Sequence, residues 1–291
     1  MKKFNLILVV CLIINTATGQ TLEAYRIYNN KGEPVSYGEM AKTLSESSIV
    51  LFGELHDNPI AHWLQIELTN TLYNNFNKQL VLGAEMFESD NQLIVNEYLS
   101  GTINQKRFEE EARLWPNYKT DYKPLIEFAK EKGLPFIATN IPRRYATVVS
   151  SSGFEALESL TSEAKSYIAP LPIDYDPTLP SYKAMLSMGG MPGKSMTASE
   201  NFPKAQAVKD ATMAWFINKN LKENNIFIHF HGTYHSNNYE GIYWYLTRTN
   251  SKTKIATIAT VIQDKTDVLE SENNNLANFI IVVPSRMTRT Y

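Results

Sequence analysis

The chain has 291 residues, 43% of them hydrophobic and 20% charged, and this composition supports one large domain with an ordinary buried core. It excludes an intrinsically disordered chain, which would have too few apolar side chains to fold. The formal net charge is −2 with acidic and basic residues interspersed, so the sequence offers no basic surface of the kind that binds nucleic acid.

Residues 1–19 have the pattern of a secretory signal peptide. Lys2 and Lys3 precede an uninterrupted apolar run at 6–14, and small or polar residues follow as far as Gly19. That run of nine residues is too short to span a bilayer, which takes about 20. We therefore expect cleavage near residue 19 or 20 and export to the periplasm or cell envelope.

The single cysteine, Cys11, lies inside this segment. Val9 and Val10 precede it, where a lipid-modified cysteine would follow small residues, so plain export is favoured over a lipid anchor. The remaining chain, 20–291, then excludes disulfides, thiolate metal ligands and cysteine nucleophiles. Any metal would have to be bound by His, Asp, Glu, Tyr or Met.

Apolar runs typical of buried strands alternate with segments of helical period. This alternation predicts an α/β fold, a mostly parallel sheet with helices on both faces. The domain begins with a small hairpin or edge element at 24–36 and a short helix at 37–46. The predicted core strands are 49–52, 79–87, 135–139, 226–231, 254–262 and 278–283, and the other predicted helices are 59–75, 89–99, 105–112, 122–132, 142–168, 199–222 and 239–248.

No strand is predicted between about 141 and 224, so we expect a mainly helical insertion or cap there, within a domain at 20–291. Its centre is rich in Pro and Gly and contains four methionines within twelve residues. The favoured interpretation is that they fill the small core of a flexible helical hairpin; the alternative is an adaptable apolar wall for a flat ligand. The four are Met185, Met188, Met191 and Met196.

Polar side chains are concentrated just after the first core strand. Glu54, His56 and His62 follow it, and Asn58 and Pro59 provide a cap and a first-turn proline for the next helix. Ligands of open parallel sheets bind at the carboxyl ends of the strands. The sequence thus predicts a functional site at this edge of the sheet.

The five histidines occur in two groups, His56 and His62 after the first core strand and His229, His231 and His235 in and after the fourth. Strand alternation places His229 and His231 on one face, where two buried imidazoles need hydrogen-bond partners or a ligand.

A glycine followed three residues later by a histidine occurs at the end of both strands, as Gly53 with His56 and Gly232 with His235. We expect both glycines to adopt positive φ in a sharp turn, which would direct both histidines over the same edge.

Glu85 lies inside an otherwise apolar run, where a carboxylate is costly unless it is paired with a cation or metal. Arg143 or Arg144, after the third core strand, is the expected structural partner, and a functional role is compatible with that pairing. Other polar side chains near the strand ends or on a later helix are Glu88, Asn140, Gln206 and Asp210.

Five short motifs carry a family resemblance. They are 51–62 (Leu-Phe-Gly-Glu-Leu-His-Asp-Asn-Pro-Ile-Ala-His), 85–88 (Glu-Met-Phe-Glu), 140–143 (Asn-Ile-Pro-Arg), Ala205-Gln206 with Asp210 and Met213-Ala214, and 231–235 (His-Gly-Thr-Tyr-His). Together they resemble the ChaN-like haem-binding uptake proteins of the Tiki superfamily, which also includes TraB-like proteins and erythromycin esterases. The resemblance covers about 48–283, and the first motif is the most specific.

The resemblance implies a cell-envelope protein that binds haem in haem or iron uptake, with the ligand between the strand-end edge and the helical insertion. It also implies a homodimer in which two haems stack face to face, a tyrosine on the iron, and an outer-membrane haem or iron receptor as partner. The residues expected to bind haem are Tyr175, Tyr182, Tyr234, His62 and Met188.

The alternative function is hydrolysis of a peptide or ester by a metal-dependent enzyme, as the wider superfamily suggests. The catalytic residues would then be Glu54, His56, Glu85, Arg143, His231 and His235. Glu54, His56, Glu85 and His235 would bind the divalent metal, and such ligands suit Zn, Mn or Fe. On the analogy of fold we favour haem binding.

Overall fold

One eight-stranded sheet organises the chain in the computed structural model, which describes residues 22–188 and 196–291, with side chains described outside 187–199. The strand order is β2-β1-β8-β7-β3-β6-β4-β5. β1 pairs antiparallel with β2 and β8, and the other pairs are parallel. The strands are β1 (Arg26–Asn29), β2 (Pro34–Val35), β3 (Ile49–Glu54), β4 (Leu80–Glu88), β5 (Phe136–Asn140), β6 (Ile226–Gly232), β7 (Ile255–Gln263) and β8 (Phe279–Pro284). The predicted α/β fold is confirmed.

The predicted signal peptide at 1–19, including Cys11, lies outside the described residues, and so do the side chains of Met188, Met191 and Met196. No helix of the described ranges combines the length and the apolar character needed to cross a membrane.

Helices connect most of the parallel strands. They are α1 (Tyr37–Leu44), α2 (Pro59–Phe76), α3 (Gln92–Leu99), α4 (Gln105–Glu111), α5 (Lys123–Lys132), α6 (Arg143–Ser152), α7 (Ser162–Lys165), α8 (Pro180–Met188), α9 (Met196–Asn220) and α10 (Ile242–Thr249). The expected cap of α2 is present, since the Asn58 side chain accepts hydrogen bonds from the N–H groups of Ile60 and Ala61, with Pro59 in the first turn.

The single helix predicted at 142–168 is wrong. α6 ends at Ser152, the next residue, Gly153, has a φ of 80° in the left-handed region that favours glycine, and a 3₁₀ turn (Phe154–Ser159) separates α6 from α7. The apolar spacing continues across this break, so hydrophobic periodicity alone does not reveal it.

Two hydrophobic cores cover the two faces of the sheet. On one face, side chains such as Phe52 and Phe230 pack against α1 to α5. On the other, Leu51 and Phe227 pack against α6, α9 and α10. In the described ranges between β5 and β6 the chain has helices and turns without a strand, and these helices form the second layer of the sheet instead of standing apart as a cap.

The neighbouring parallel strands β3, β6, β4 and β5 end at the same edge of the sheet. Glu54 lies opposite Gly232 in the register of β3 and β6, and Glu88 lies opposite Asn140 in that of β4 and β5. The β4–β5 register shifts between Ala84 and Glu88. Such a bulge redirects the side chains within it, and Glu85 is one of them.

Candidate functional site

Glu54 and His56 form a hydrogen-bonded pair at the end of β3. Glu54 is buried, and its Oε1 lies 2.9 Å from His56 Nδ1 and accepts a 2.8 Å hydrogen bond from the Tyr122 hydroxyl. Gln65 donates to the other carboxylate oxygen. An ionised carboxylate can only accept, so it fixes His56 with the proton on Nδ1. Burial lowers the pKa of His56, but the hydrogen bond to Glu54 and the charges of Glu85 and Glu54 together outweigh burial and raise this pKa overall.

His56 Nε2 faces the strand ends. No group in the described ranges hydrogen-bonds this nitrogen, and the His56 side chain is 34% exposed. A Cβ added at Gly232 would lie 2.7 Å from Nε2, so only glycine leaves room for the ring. The Trp115 ring meets His56 edge-on at a centroid distance of 4.9 Å.

His235 lies between two buried carboxylates. Its Nε2 is 3.2 Å from Glu85 Oε1, and its Nδ1 is hydrogen-bonded to Asp210. Glu85 also accepts a 2.8 Å hydrogen bond from the Gly232 N–H. Burial lowers the pKa of His235, but the charges of Glu85 and Asp210 outweigh it and raise the pKa to about 10. His235 is therefore an imidazolium at neutral pH.

The pKa values of the two carboxylates that contact His235, Glu85 and Asp210, are shifted in opposite directions. Burial raises the pKa of Glu85, but the charge and hydrogen bond of His235, the charge of His56 and the Gly232 N–H together hold that pKa well below its usual range. For Asp210, burial is decisive and raises the pKa. The Gln206 amide nitrogen lies 3.0 Å from His235 Nδ1, so Gln206 and Asp210 both face the strand ends and not solvent.

The Glu85 partner expected from the sequence is wrong. Glu85 is paired with His235, while Arg144 Nη1 forms a 2.6 Å ion pair with Asp90. Arg143 forms no ion pair with any residue of the described ranges. The register shift in β4 explains the difference, because it turns Glu85 towards β6 and away from α6, which begins at Arg143.

The predicted shared geometry of the two glycines is also wrong. Neither Gly53 nor Gly232 has positive φ, and that of Gly232 is −58°. Both are required for close approach: a Cβ on Gly53 would lie 2.8 Å from the Ile258 carbonyl oxygen, and one on Gly232 would strike His56.

His229 and His231 form a hydrogen bond with each other inside the sheet. Their Nδ1 atoms are 3.0 Å apart, His229 Nε2 is 2.7 Å from Thr139 Oγ1, and His231 Nε2 is 2.8 Å from Ser236 Oγ. The expected need for hydrogen-bond partners is thus met within the protein. Burial and the charge of His235 lower the pKa of His231 to about 3. His231, an expected catalytic residue, is fully buried and neutral.

The residues expected to bind haem are spread over several places. Tyr182 is buried and its hydroxyl donates a 2.8 Å hydrogen bond to Asp210, and the Tyr175 ring packs against it at 5.6 Å. Tyr234 is 69% exposed, on another side of the strand ends. His62 is buried beside Gln65 and the His56 carbonyl oxygen. Met188 lies outside the residues with described side chains.

A cleft of about 520 Å³, here called the rim cleft, opens above these strand ends. Three of the expected site residues, His56, Glu85 and Arg143, line it. Asn140 Oδ1 is buried without a hydrogen-bond partner in the described part of the chain. The other lining residues include Trp115, Ile141, Ala146, Phe202, Ala205 and Lys209.

Sequence reasoning missed the residues that reach the rim cleft from loops and the helical layer. Trp115, Phe202 and Lys209 belong to segments distant from the strands, and strand-end logic does not identify them. It also does not identify Tyr122, which is buried and donates a hydrogen bond to Glu54. The only sequence signal was an aromatic pair, Trp115 and Tyr118, around a turn-forming Pro-Asn.

The expected metal ligands do not converge. Among the residues with described placement, no three His, Asp or Glu side chains are arranged to bind a metal ion. Glu54 is hydrogen-bonded to His56, and Glu85 to His235, so the four expected ligands form two separate pairs.

A family model described as haem-binding uptake, Tiki superfamily, ChaN, matches residues 40–246. Protein RETICULATA-RELATED 5, chloroplastic, of Arabidopsis thaliana is 26% identical over 208 residues, which is 66% of this chain and 28% of that protein. The chain therefore spans less than a third of that relative's length.

Among solved structures, ChaN of Campylobacter jejuni with cofacially bound haem superposes with a TM-score of 0.67 at 17% identity, covering 90% of this chain and 97% of that one. An erythromycin esterase variant in its open conformation superposes with a TM-score of 0.46 at 11% identity, covering 90% and 83%. The first superposition agrees with the α/β architecture described above.

Proposed function

Since the chain belongs to the ChaN family of haem-binding uptake proteins in the Tiki superfamily, we propose that it binds haem in the rim cleft and serves haem or iron uptake in the cell envelope. The observation that carries this proposal is His56, a partly exposed imidazole whose Nδ1 is held by Glu54 while Nε2 faces the cleft. A carboxylate on one ring nitrogen is the usual support for a histidine that binds a metal through the other.

The lining of the rim cleft fits a porphyrin. Trp115, Ile141 and Phe202 supply aromatic and apolar surface for a flat ring, and Arg143 and Lys209 supply positive charge for its carboxylates. The cleft volume of about 520 Å³ lies within the range of small-molecule sites. Haem bound there would supply an iron with an open coordination position, and His56 is the side chain of this chain placed to bind it.

The tyrosines expected to bind iron have other contacts. The Tyr182 hydroxyl donates a hydrogen bond to Asp210, and the Tyr175 ring packs on the Tyr182 ring. Neither tyrosine lines the rim cleft. Tyr234 is exposed and separated from the rim cleft by His56. We therefore propose His56 in place of a tyrosine as the iron ligand within one subunit.

The second subunit and the outer-membrane receptor implied by the family remain part of the proposal. In the Campylobacter jejuni protein haem binds cofacially. The rim cleft is open to solvent beside Phe202, which is 43% exposed, so a haem bound there would keep an uncovered face. We propose that a second copy of the chain covers that face, and that the exported protein exchanges haem with an outer-membrane receptor.

A haemin titration of the processed protein tests the proposal. Haemin should give a saturable Soret shift, and His56→Gln should weaken binding roughly tenfold or more because the iron loses its imidazole. Tyr182→Phe is the matched control, since it retains the ring and lies outside the cleft, and it should leave the affinity unchanged. No shift with the unaltered protein, or a larger loss in Tyr182→Phe than in His56→Gln, would refute haem binding in the rim cleft.

A second candidate function is hydrolysis, favoured by the Glu54–His56 pair. A histidine oriented by a carboxylate, with its other nitrogen facing a solvent-filled cleft, can act as a general base towards water. Arg143 and Lys209, which line the same cleft, would supply positive charge for a developing oxyanion. Hydrolysis of a nitrophenyl ester that disappears in both Glu54→Gln and His56→Gln, with no haemin binding, would favour this function over uptake.

A further inference from the structure

A second cleft, of about 590 Å³, adjoins the rim cleft and is lined by three arginines. They are Arg113, Arg143 and Arg144, and we call this the arginine cleft. Its wall is formed by Leu114, Trp115 and Pro116. Trp115 and Arg143 line both clefts, so one continuous surface leads from the aromatic wall of the rim cleft to the guanidinium groups.

Two of the three arginines are held in place. Arg113 Nε donates a 3.0 Å hydrogen bond to Glu88, and Arg113 and Arg144 both pair with Asp90, whose side chain is only 11% exposed. The Arg144 guanidinium also lies 4.4 Å from the centre of the Tyr145 ring. A guanidinium fixed by ion pairs loses less conformational entropy when it binds an anion than a freely moving one does.

The charges in the arginine cleft do not cancel. Three guanidinium groups face two carboxylates, those of Glu88 and Asp90, and in the described ranges Arg143 has no ion pair. Arg143 is exposed at the start of α6, where the first backbone N–H groups of the helix also lack intrahelical acceptors. The cleft therefore has an excess of positive charge in a geometry suited to bidentate binding of a carboxylate.

We propose that the arginine cleft is a subsite for the carboxylate groups of the ligand, with Arg143 as the residue that binds them. The ligand class that spans both clefts is a planar aromatic molecule that carries carboxylates at one edge. This inference rests on the proposed function, because it assumes that the flat part of the ligand occupies the rim cleft. It assigns Arg143 to ligand recognition and not to catalysis.

The test compares haemin with the same iron porphyrin in which both carboxylates are methyl esters, in one detergent buffer. The unaltered protein should bind haemin about tenfold more tightly than the ester. Arg143→Gln should remove that difference by weakening haemin alone. Arg248→Gln is the matched control, because Arg248 is an exposed arginine on α10, paired with Asp174 and remote from both clefts, and its loss changes the net charge equally.

The outcomes separate the two proposals. Equal affinities of the unaltered protein for haemin and its ester would overturn the carboxylate subsite and leave haem binding intact. Failure of the unaltered protein to bind either porphyrin would overturn the proposed function and the subsite together. A loss of haemin affinity in Arg248→Gln as large as in Arg143→Gln would show that net charge, and not the arginine cleft, determines the preference. Thermal unfolding of each variant confirms that Arg143→Gln is folded, and Arg143→Lys, which retains the charge without the planar fork, should restore binding only in part.

Discussion

Glu85 is a buried carboxylate whose ionised form depends on His235 and the Gly232 N–H. We expect Glu85→Gln to lower the free energy of unfolding by roughly 2 to 3 kcal/mol, because His235 would keep only one of its two carboxylates. The pKa of His235, about 10 in the intact protein, should fall in the variant. Urea unfolding at pH 7 and NMR titration of the imidazole measure the two effects.

The control for this prediction is Glu110→Gln. Glu110 pairs with Arg107 at 2.8 Å, but both side chains are well exposed, and such surface pairs contribute at most about 1 kcal/mol. Equal losses in Glu85→Gln and Glu110→Gln would mean that Glu85 is hydrated and that the His235 pair does not stabilise the fold.

Gly53 is required by packing at the end of β3. A Cβ there would come within 2.9 Å of Thr233 Cα as well as close to the Ile258 carbonyl oxygen, and both are backbone atoms that cannot rotate away. We expect Gly53→Ala to destabilise the protein by about 1 to 3 kcal/mol. Gly38→Ala, at an exposed helical position with space around it, should instead stabilise it by up to about 1 kcal/mol. Thermal unfolding of the two variants should shift in opposite directions, and a neutral Gly53→Ala would show that the strand end can relax.

The sequence identified Glu54, His56, Glu85 and His235 as residues of one edge, because a charged or imidazole side chain next to an apolar run is conspicuous. It did not identify which of them would pair. Pairing depends on side-chain direction within a few ångströms, and here a local register shift in β4 decides it. For the same reason Trp115, which belongs to a loop, could not be placed against His56 before the fold was known.

Strand β6 contains two neutral imidazoles, His229 and His231, and the turn after it contains an imidazolium, His235. This combination predicts that the free energy of unfolding is largest near pH 6.5. His235 has a raised pKa of about 10, so from pH 6.5 to 10 the native state holds a proton that the unfolded chain releases, and stability falls as pH rises. His229 and His231 have lowered pKa values, so below pH 6.5 the unfolded chain binds protons that the native state does not, and stability falls as pH falls.

The free energy of unfolding, measured with urea at intervals from pH 4.5 to 9.5, checks this prediction. Both arms should slope downwards from the maximum. A flat profile between pH 7 and 9 would mean that His235 is neutral in the native state and that the Glu85–His235–Asp210 chain is not an ion-paired system.

The individual elements were the most predictable part of the molecule. Each core strand predicted from an apolar run is present within a few residues, because a strand buried on both faces has an unmistakable composition. The helices were predictable where caps accompany the apolar spacing, as at Asn58 for α2. The exception is the stretch at 142–168, where the apolar spacing continues past Gly153 although the helix ends there.

The open rim cleft leads to a prediction about assembly. A haem bound beside the exposed Phe202 would present an uncovered apolar face, and covering such a surface favours association. We expect haemin to double the sedimenting mass of the protein in analytical ultracentrifugation, and His56→Gln to prevent this at the same haemin concentration. A mass that stays constant while the Soret band shifts would show that one subunit encloses its haem alone.

The alternation of strands and helices along the sequence predicts parallel pairing, but it does not predict the order of strands. β1 and β2, which were predicted as a hairpin or edge element, form an antiparallel pair at the edge of the sheet beside β8, and only the tertiary structure shows that β1 is antiparallel to β8. The two helical layers could be expected from the fold class, whereas the position of the rim cleft depends on which helix covers which strand.

The place of β3 near the middle of the sheet bears on how the polypeptide matures. Both of its neighbours, β6 and β7, are contributed by the last quarter or so of the chain, beginning at Ile226. A nascent chain therefore exposes an uncovered, wholly apolar segment at 49–52 until β6 and β7 have been synthesised, and pairings of such high contact order fold slowly. Until β6 and β7 have been translated, the emerging polypeptide is a substrate for chaperones that shield hydrophobic segments, and Glu85 lacks its partner His235.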